Sequence, residues 1–164
     1  MTRTHQRPLW ALLLAAVLIA PLAAAAPASA GPGGGGAFGL GIIVGEPTGL
    51  SAKLFLSKKA ALAGAVAWSL SGDNEFHIQG DYLLHNYTAI AVSQGRAPIH
   101  YGLGARIVIR DRHDDRLGLR IPVGVGYEFE DAPFDIFLEL APVLDVAPDT
   151  DFRLEGAIGG RFYF

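Results

Sequence analysis

From Phe38 to the end of the chain, hydrophobic side chains recur at every second position. Successive residues of an extended chain point to opposite sides, so a period of two makes strands with one apolar face. Eight such runs can be read, over 38–44, 50–56, 62–70, 76–84, 99–109, 117–127, 134–140 and 152–164. The fourth has room to continue through Ala89, Ile90, Ala91 and Val92 to a turn at 93–97. Between the runs lie Glu46-Pro47-Thr48-Gly49, Ser71-Gly72-Asp73-Asn74, Glu130-Asp131-Ala132-Pro133 and Pro148-Asp149-Thr150-Asp151, residue types that tolerate tight turns. The expected fold is all-β, an antiparallel up-and-down sheet of eight strands. Such a sheet removes its exposed edges by closing into a barrel.

The second face decides which kind of barrel this is. It mixes glycine and alanine with isolated charges, whereas the outer surface of a soluble barrel is dense in polar side chains. Hydrophobic residues make up 51% of the 164-residue chain and charged residues 18%. The apolar face runs nearly free of charge for about nine residues per strand, the length a membrane strand needs. The expectation is therefore a transmembrane barrel with its apolar face toward lipid and its small and charged residues inside. Intrinsic disorder is excluded by the apolar content. Nucleic-acid binding is excluded by a net charge of −3 with no basic stretch.

The first thirty residues fit export through such a membrane. Arg3 and Arg7 precede an apolar run from Leu9 to Ala26, and Ala28-Ser29-Ala30 follows as a small-x-small cleavage pattern. We read 1–30 as a cleavable signal peptide, 31–37 as a flexible Gly-rich tether, and 38–164 as the barrel. The chain has no cysteine, hence no disulfide and no lipid-anchored thiol.

The expected interior charges are Lys53, Asp81, Arg106, Arg120, Glu128, Asp135, Glu139, Arg153, Glu155 and Arg161. Charges withdrawn from water must be paired, so they are expected to form a network that fills the bore, centred on Arg106 and Arg120. Phe38, Trp68, Phe76, Tyr101, Tyr127, Phe134, Phe152 and Phe162 fall near strand ends on the apolar face, where aromatic girdles meet the membrane interfaces. Phe162, Tyr163 and Phe164 close the chain on a strand with a terminal phenylalanine, the pattern by which barrel-assembly machinery recognises known barrels.

The stretches Gly45-Glu46-Pro47-Thr48-Gly49-Leu50-Ser51-Ala52-Lys53 and Asp114-Asp115-Arg116-Leu117-Gly118-Leu119-Arg120-Ile121-Pro122-Val123-Gly124 carry a resemblance. So do Glu130-Asp131-Ala132-Pro133 through Val143-Leu144-Asp145, Pro148-Asp149-Thr150-Asp151 and the last strand. With these, the chain resembles the small eight-stranded outer-membrane barrels of the OmpX/OmpA type. It resembles more closely a family of short bacterial outer-membrane barrel proteins to which no activity is assigned. The resemblance implies a bacterial outer-membrane location, contact with membrane lipid and with the assembly machinery, and no catalytic residues. It departs from the larger barrels in its short outward loops.

The expected role is structural or surface-interacting, without enzyme activity and without a cofactor. A narrow path for small ions or solutes is the alternative, and eight strands leave it little room. A lipid-modifying enzyme would need a nucleophile and base near the outer rim. Ser69, Ser71 and His113 stand there, but no strained nucleophile turn marks them. His77 and His85 lie too far apart on one strand to share a metal ion, and His77 could meet His100 only in a suitable register.

Overall fold

The computed structural model describes residues 30–68, 75–110 and 114–164. The leader residues 1–29, together with Ser69, Ser71 and His113, lie outside the described residues. The strands are β1 (Phe38–Gly45), β2 (Gly49–Phe55), β3 (Ala60–Trp68), β4 (Glu75–Asn86), β5 (Ile99–Arg110), β6 (Arg116–Arg120), β7 (Val123–Glu128), β8 (Phe134–Ala147) and β9 (Asp151–Tyr163). Every pairing is antiparallel, between strands consecutive in the chain except where β5 also meets β7 and β6 meets β8, and β9 returns to β1 from Gly39 opposite Tyr163 to Gly45 opposite Ala157. The sheet is therefore a closed ring with no free edge.

The run at 117–127 is two segments, because Pro122 has no N–H to give to the ladder. Both segments occupy one place in the wall, since β6 and β7 each lie between β5 and β8. The break is narrow. The Ile121 amide donates to the Pro142 carbonyl, and the Gly102 amide donates to the Pro122 carbonyl, each at 3.0 Å. In-and-out alternation carries through it, so eight staves make the wall.

Burial is inverted relative to a soluble barrel. Leu103 is 67% exposed, Ile42 59% and Leu119 56%, whereas Arg120 is 2% exposed and Glu128 1%. The apolar face points out, and the charged and small residues point in. An apolar layer also lies inside, where Ile43, Ala65, Phe137 and Ala157 pack together.

The start of the first strand and the end of the last lie on one rim, here called the terminal rim: the Phe164 amide donates to the Phe38 carbonyl at 2.9 Å. Two segments there differ from the sequence reading. Strand β4 stops at Asn86, and 87–98 forms a loop rather than more strand. That loop is drawn across the rim, with Arg96 and Glu128 exchanging backbone hydrogen bonds of 2.9 and 2.8 Å.

The second correction concerns 31–37, which is a fitted cap rather than a structureless tether. Gly31 and Pro32 are buried, and Pro32 to Gly34 make one 3-10 turn. Gly33 sits at φ 55° against the backbone of Ala132, a place closed to a side chain. A β-carbon on Gly35 would lie 2.7 Å from that of Pro133 and 2.9 Å from that of Tyr163. Composition marks such a tract as a linker; here its missing side chains let backbone lie directly on the last strand.

Candidate functional site

Among the described residues the bore holds nearly all the buried polarity, in two connected groups. At mid-height Arg120 is the hub. Its Nη2 donates to Glu139 Oε1 at 2.6 Å and its Nη1 to Glu155 Oε2 at 3.3 Å. Its Nε lies 3.0 Å from Asp81 Oδ1, and Nη1 also donates to the Gln79 side chain. Arg106 donates through Nη2 to Asp145 Oδ1 at 2.7 Å and Oδ2 at 2.9 Å, and through Nη1 to Glu155. Glu155 is thus shared by both arginines. His100 Nε2 stands 3.2 Å from Glu139 Oε2.

The other group lies toward the terminal rim and centres on Asp135. Tyr163 donates its hydroxyl to Asp135 Oδ2 at 2.7 Å, with Arg161 Nη1 at 3.5 Å and Lys53 Nζ at 3.6 Å from the same oxygen. Arg161 Nε donates to Ser51 Oγ at 2.9 Å, and its guanidinium lies 3.8 Å from the Phe137 ring centroid. At the rim itself Glu128 accepts from the Tyr87 hydroxyl at 3.0 Å and pairs with Arg96 at 2.8 Å.

A repeated register makes these contacts possible. Arg106 of β5 stands opposite Gly118 of β6, which stands opposite Asp145 of β8. Likewise Asp81, Gly104 and Arg120 form one row, and His100, Gly124 and Glu139 another. Arg161, Gly41 and Ser51 repeat it across the β9–β1 seam. Partners two strands apart are separated by about 9–10 Å of wall. They meet because the middle strand puts nothing between them. A β-carbon on Gly118 would lie 2.6 Å from Asp145 Oδ1 and 3.2 Å from Arg106 Nε.

A Gly118→Ala variant should therefore lose about 1–3 kcal/mol of stability through overpacking. A Gly126→Ala variant is the control, since its β-carbon would meet only ordinary contacts from 3.6 Å outward. Unfolding temperature in detergent measures both, and an equal effect would contradict the spacer role.

Of the residues expected inside, Lys53, Asp81, Arg106, Arg120, Glu128, Asp135, Glu139, Glu155 and Arg161 are buried in the bore. Arg153 is the correction. Its side chain is 46% exposed at the far rim, where it reaches Asp145 at 3.4 Å and Asp151 at 3.0 Å. Asp145 is the residue the sequence reading missed; it is fully buried and lies within reach of Arg106, Arg116 and Arg153. Counting in steps of two from Asp135 reaches it, but the run read there stops at 140, before Pro142. In the structure β8 runs on to Ala147.

The aromatics divide by rim. Phe38, Tyr101, Tyr127, Phe134 and Phe162 lie toward the terminal rim, and Trp68 pairs with Phe76 near the far rim, where β9 also starts beside Phe152. Phe162 and Phe164 turn outward and stack edge-to-face at 5.1 Å, while Tyr163 between them is 1% exposed and faces the bore. His77 stands opposite Val108 and so does not meet His100, which stands opposite His85 with ring centroids 6.0 Å apart. Among the described residues no group of three or more His, Asp or Glu is placed to hold a metal ion.

The closed antiparallel ring also bears on relationship. In fold the chain is similar to the N-terminal β-barrel domain of Pseudomonas aeruginosa OprF. The match to that crystal structure covers 77% of this chain and 94% of that one, at a TM-score of 0.52 and 17% identity. At this identity the likeness to the OprF barrel concerns architecture. No protein-family model matches the chain, and no curated protein matches it either.

Proposed function

We propose that the chain is a bacterial outer-membrane barrel with a filled bore and a structural or surface-interacting role, not an enzyme. The observation that carries this reading is the inverted burial: an apolar exterior around charges that are 0–6% exposed. Such an exterior is stable against acyl chains and ruinous in water. The likeness to the OprF barrel supports the architecture this reading needs. Membrane lipid is the partner of the outer surface, and Phe162, Tyr163 and Phe164 are the segment offered to assembly machinery. The leader supplies the export route.

Folded barrels of this kind resist detergent until boiled. The expected result is heat-modifiable gel mobility of the protein extracted from membranes. Recovery of the folded chain in the soluble fraction would overturn the reading. The bore contacts argue for occlusion, because Arg106 and Arg120 converge on Glu155 across it. Planar bilayers should show no steady open level above background; a reproducible one would favour a narrow channel for small ions or solutes.

A further inference from the structure

We propose that the structure contains a seat for a new N-terminus at Gly31: cleavage between Ala30 and Gly31 frees an ammonium that is held by the Gly35 and Gly36 carbonyls against the last strand. This rests on the export reading above, and goes beyond it in assigning the cut end a place and a task.

The geometry is specific. Gly31 N lies 2.9 Å from the Gly35 oxygen and 3.0 Å from the Gly36 oxygen. A single amide N–H divides itself between the two acceptors, whereas an ammonium supplies a separate hydrogen to each. Gly31 is buried and Ala30 is exposed, so the bond between them lies at the edge of the cap, with its leader side facing out. Pro32, fully buried, fixes the residue that follows. The cap and the last strand meet here, because a β-carbon on Gly36 would collide with the Phe164 backbone oxygen.

The groups packed against the cap are the Phe164 backbone at Gly36, Tyr163 against Gly31, and Ala132, on which Gly33 rests, in the turn that also carries Glu130 and Asp131. The two carbonyl dipoles favour a positive charge, and burial opposes it. Two directed acceptors on one nitrogen, at a cap edge where Ala30 is exposed, set the balance toward the charged form. Hydrolysis consumes one water, releases the leader with a carboxylate at Ala30, and leaves the ammonium on Gly31. Export processing would thus finish the fold by fastening the cap onto the last strand.

The exported protein is purified from membranes and its first residue determined by sequencing; Gly31 is expected. A start elsewhere, in a protein that still shows heat-modifiable mobility, overturns this proposal and leaves the barrel reading intact. The α-amine is then titrated by NMR in detergent, and should ionise above the ordinary range of about 7.7–8.0. A raised value in the folded state means stability present at pH 6 and lost as pH climbs through the folded value. The free-amine protein should therefore outlast its α-acetylated form on heating at pH 6, with the gap closing by about pH 10. Gly36→Ala should return the amine to its ordinary range. An ordinary value in the unsubstituted protein, or a raised value that survives in G36A, would overturn the seat.

Discussion

Replacing Arg120 with leucine should unfold the barrel at a much lower temperature, by the equivalent of about 3–5 kcal/mol. The side chain is 2% exposed and lies against Asp81, Glu139 and Glu155. Leucine removes the cation and leaves three carboxylates facing one another in a space with little water. A buried ion pair adds little beyond an apolar replacement of both partners, but breaking one side strands the other. Arg120→Lys should recover part of the loss, since it returns the charge without the planar fork that serves several acceptors at once. The midpoint of the boiling-dependent mobility shift measures all three proteins. A leucine variant as stable as the original would mean that the bore is wet enough to solvate its own charges.

On the opposite face, Leu119→Arg should block assembly. Leu119 neighbours Arg120 in sequence, yet it is 56% exposed on the apolar exterior. A cation facing lipid near the bilayer midplane costs about 2–4 kcal/mol. The expected outcome is protein that accumulates unassembled and migrates as the heated form without heating. The pair tests the face assignment with one residue of offset: at 119 a charge is added where none is tolerated, at 120 one is removed where it is needed. Normal assembly of L119R would place that face in water.

The strands and their two faces were legible because a period of two is a local property. Ile99 to Ile109 and Phe152 to Phe164 declare their orientation without reference to any other strand. Closure was an inference from edges, and the β1–β9 ladder provides it. Contacts inside the bore were less legible, because they depend on register. Nothing local says that His85 rather than His77 faces His100, or that Gly118 lies between Arg106 and Asp145. Proline misled in both directions. The run read over 134–140 continues through Pro142 to Ala147 in β8, while the run read as unbroken over 117–127 is divided at Pro122 into β6 and β7. The Gly31 to Gly36 tract misled because small residues signal freedom in a linker and close fit under a lid, and composition does not separate these. Arg153 follows the inward parity but stands at a strand's first turn, where parity says nothing of depth.

The glycine rows bear on how the cylinder finds its alignment during assembly. A two-residue slide of one strand keeps every side chain on its proper face, so hydrophobic patterning alone does not forbid it. If β6 slid by two, however, Arg116 or Arg120 would occupy the position of Gly118, between Arg106 and Asp145. The slipped form would jam a guanidinium into the gap and forfeit a pair at once. The empty positions thus behave as notches in a ratchet, each admitting one alignment, and they give a sheet of otherwise interchangeable rungs a single way to close.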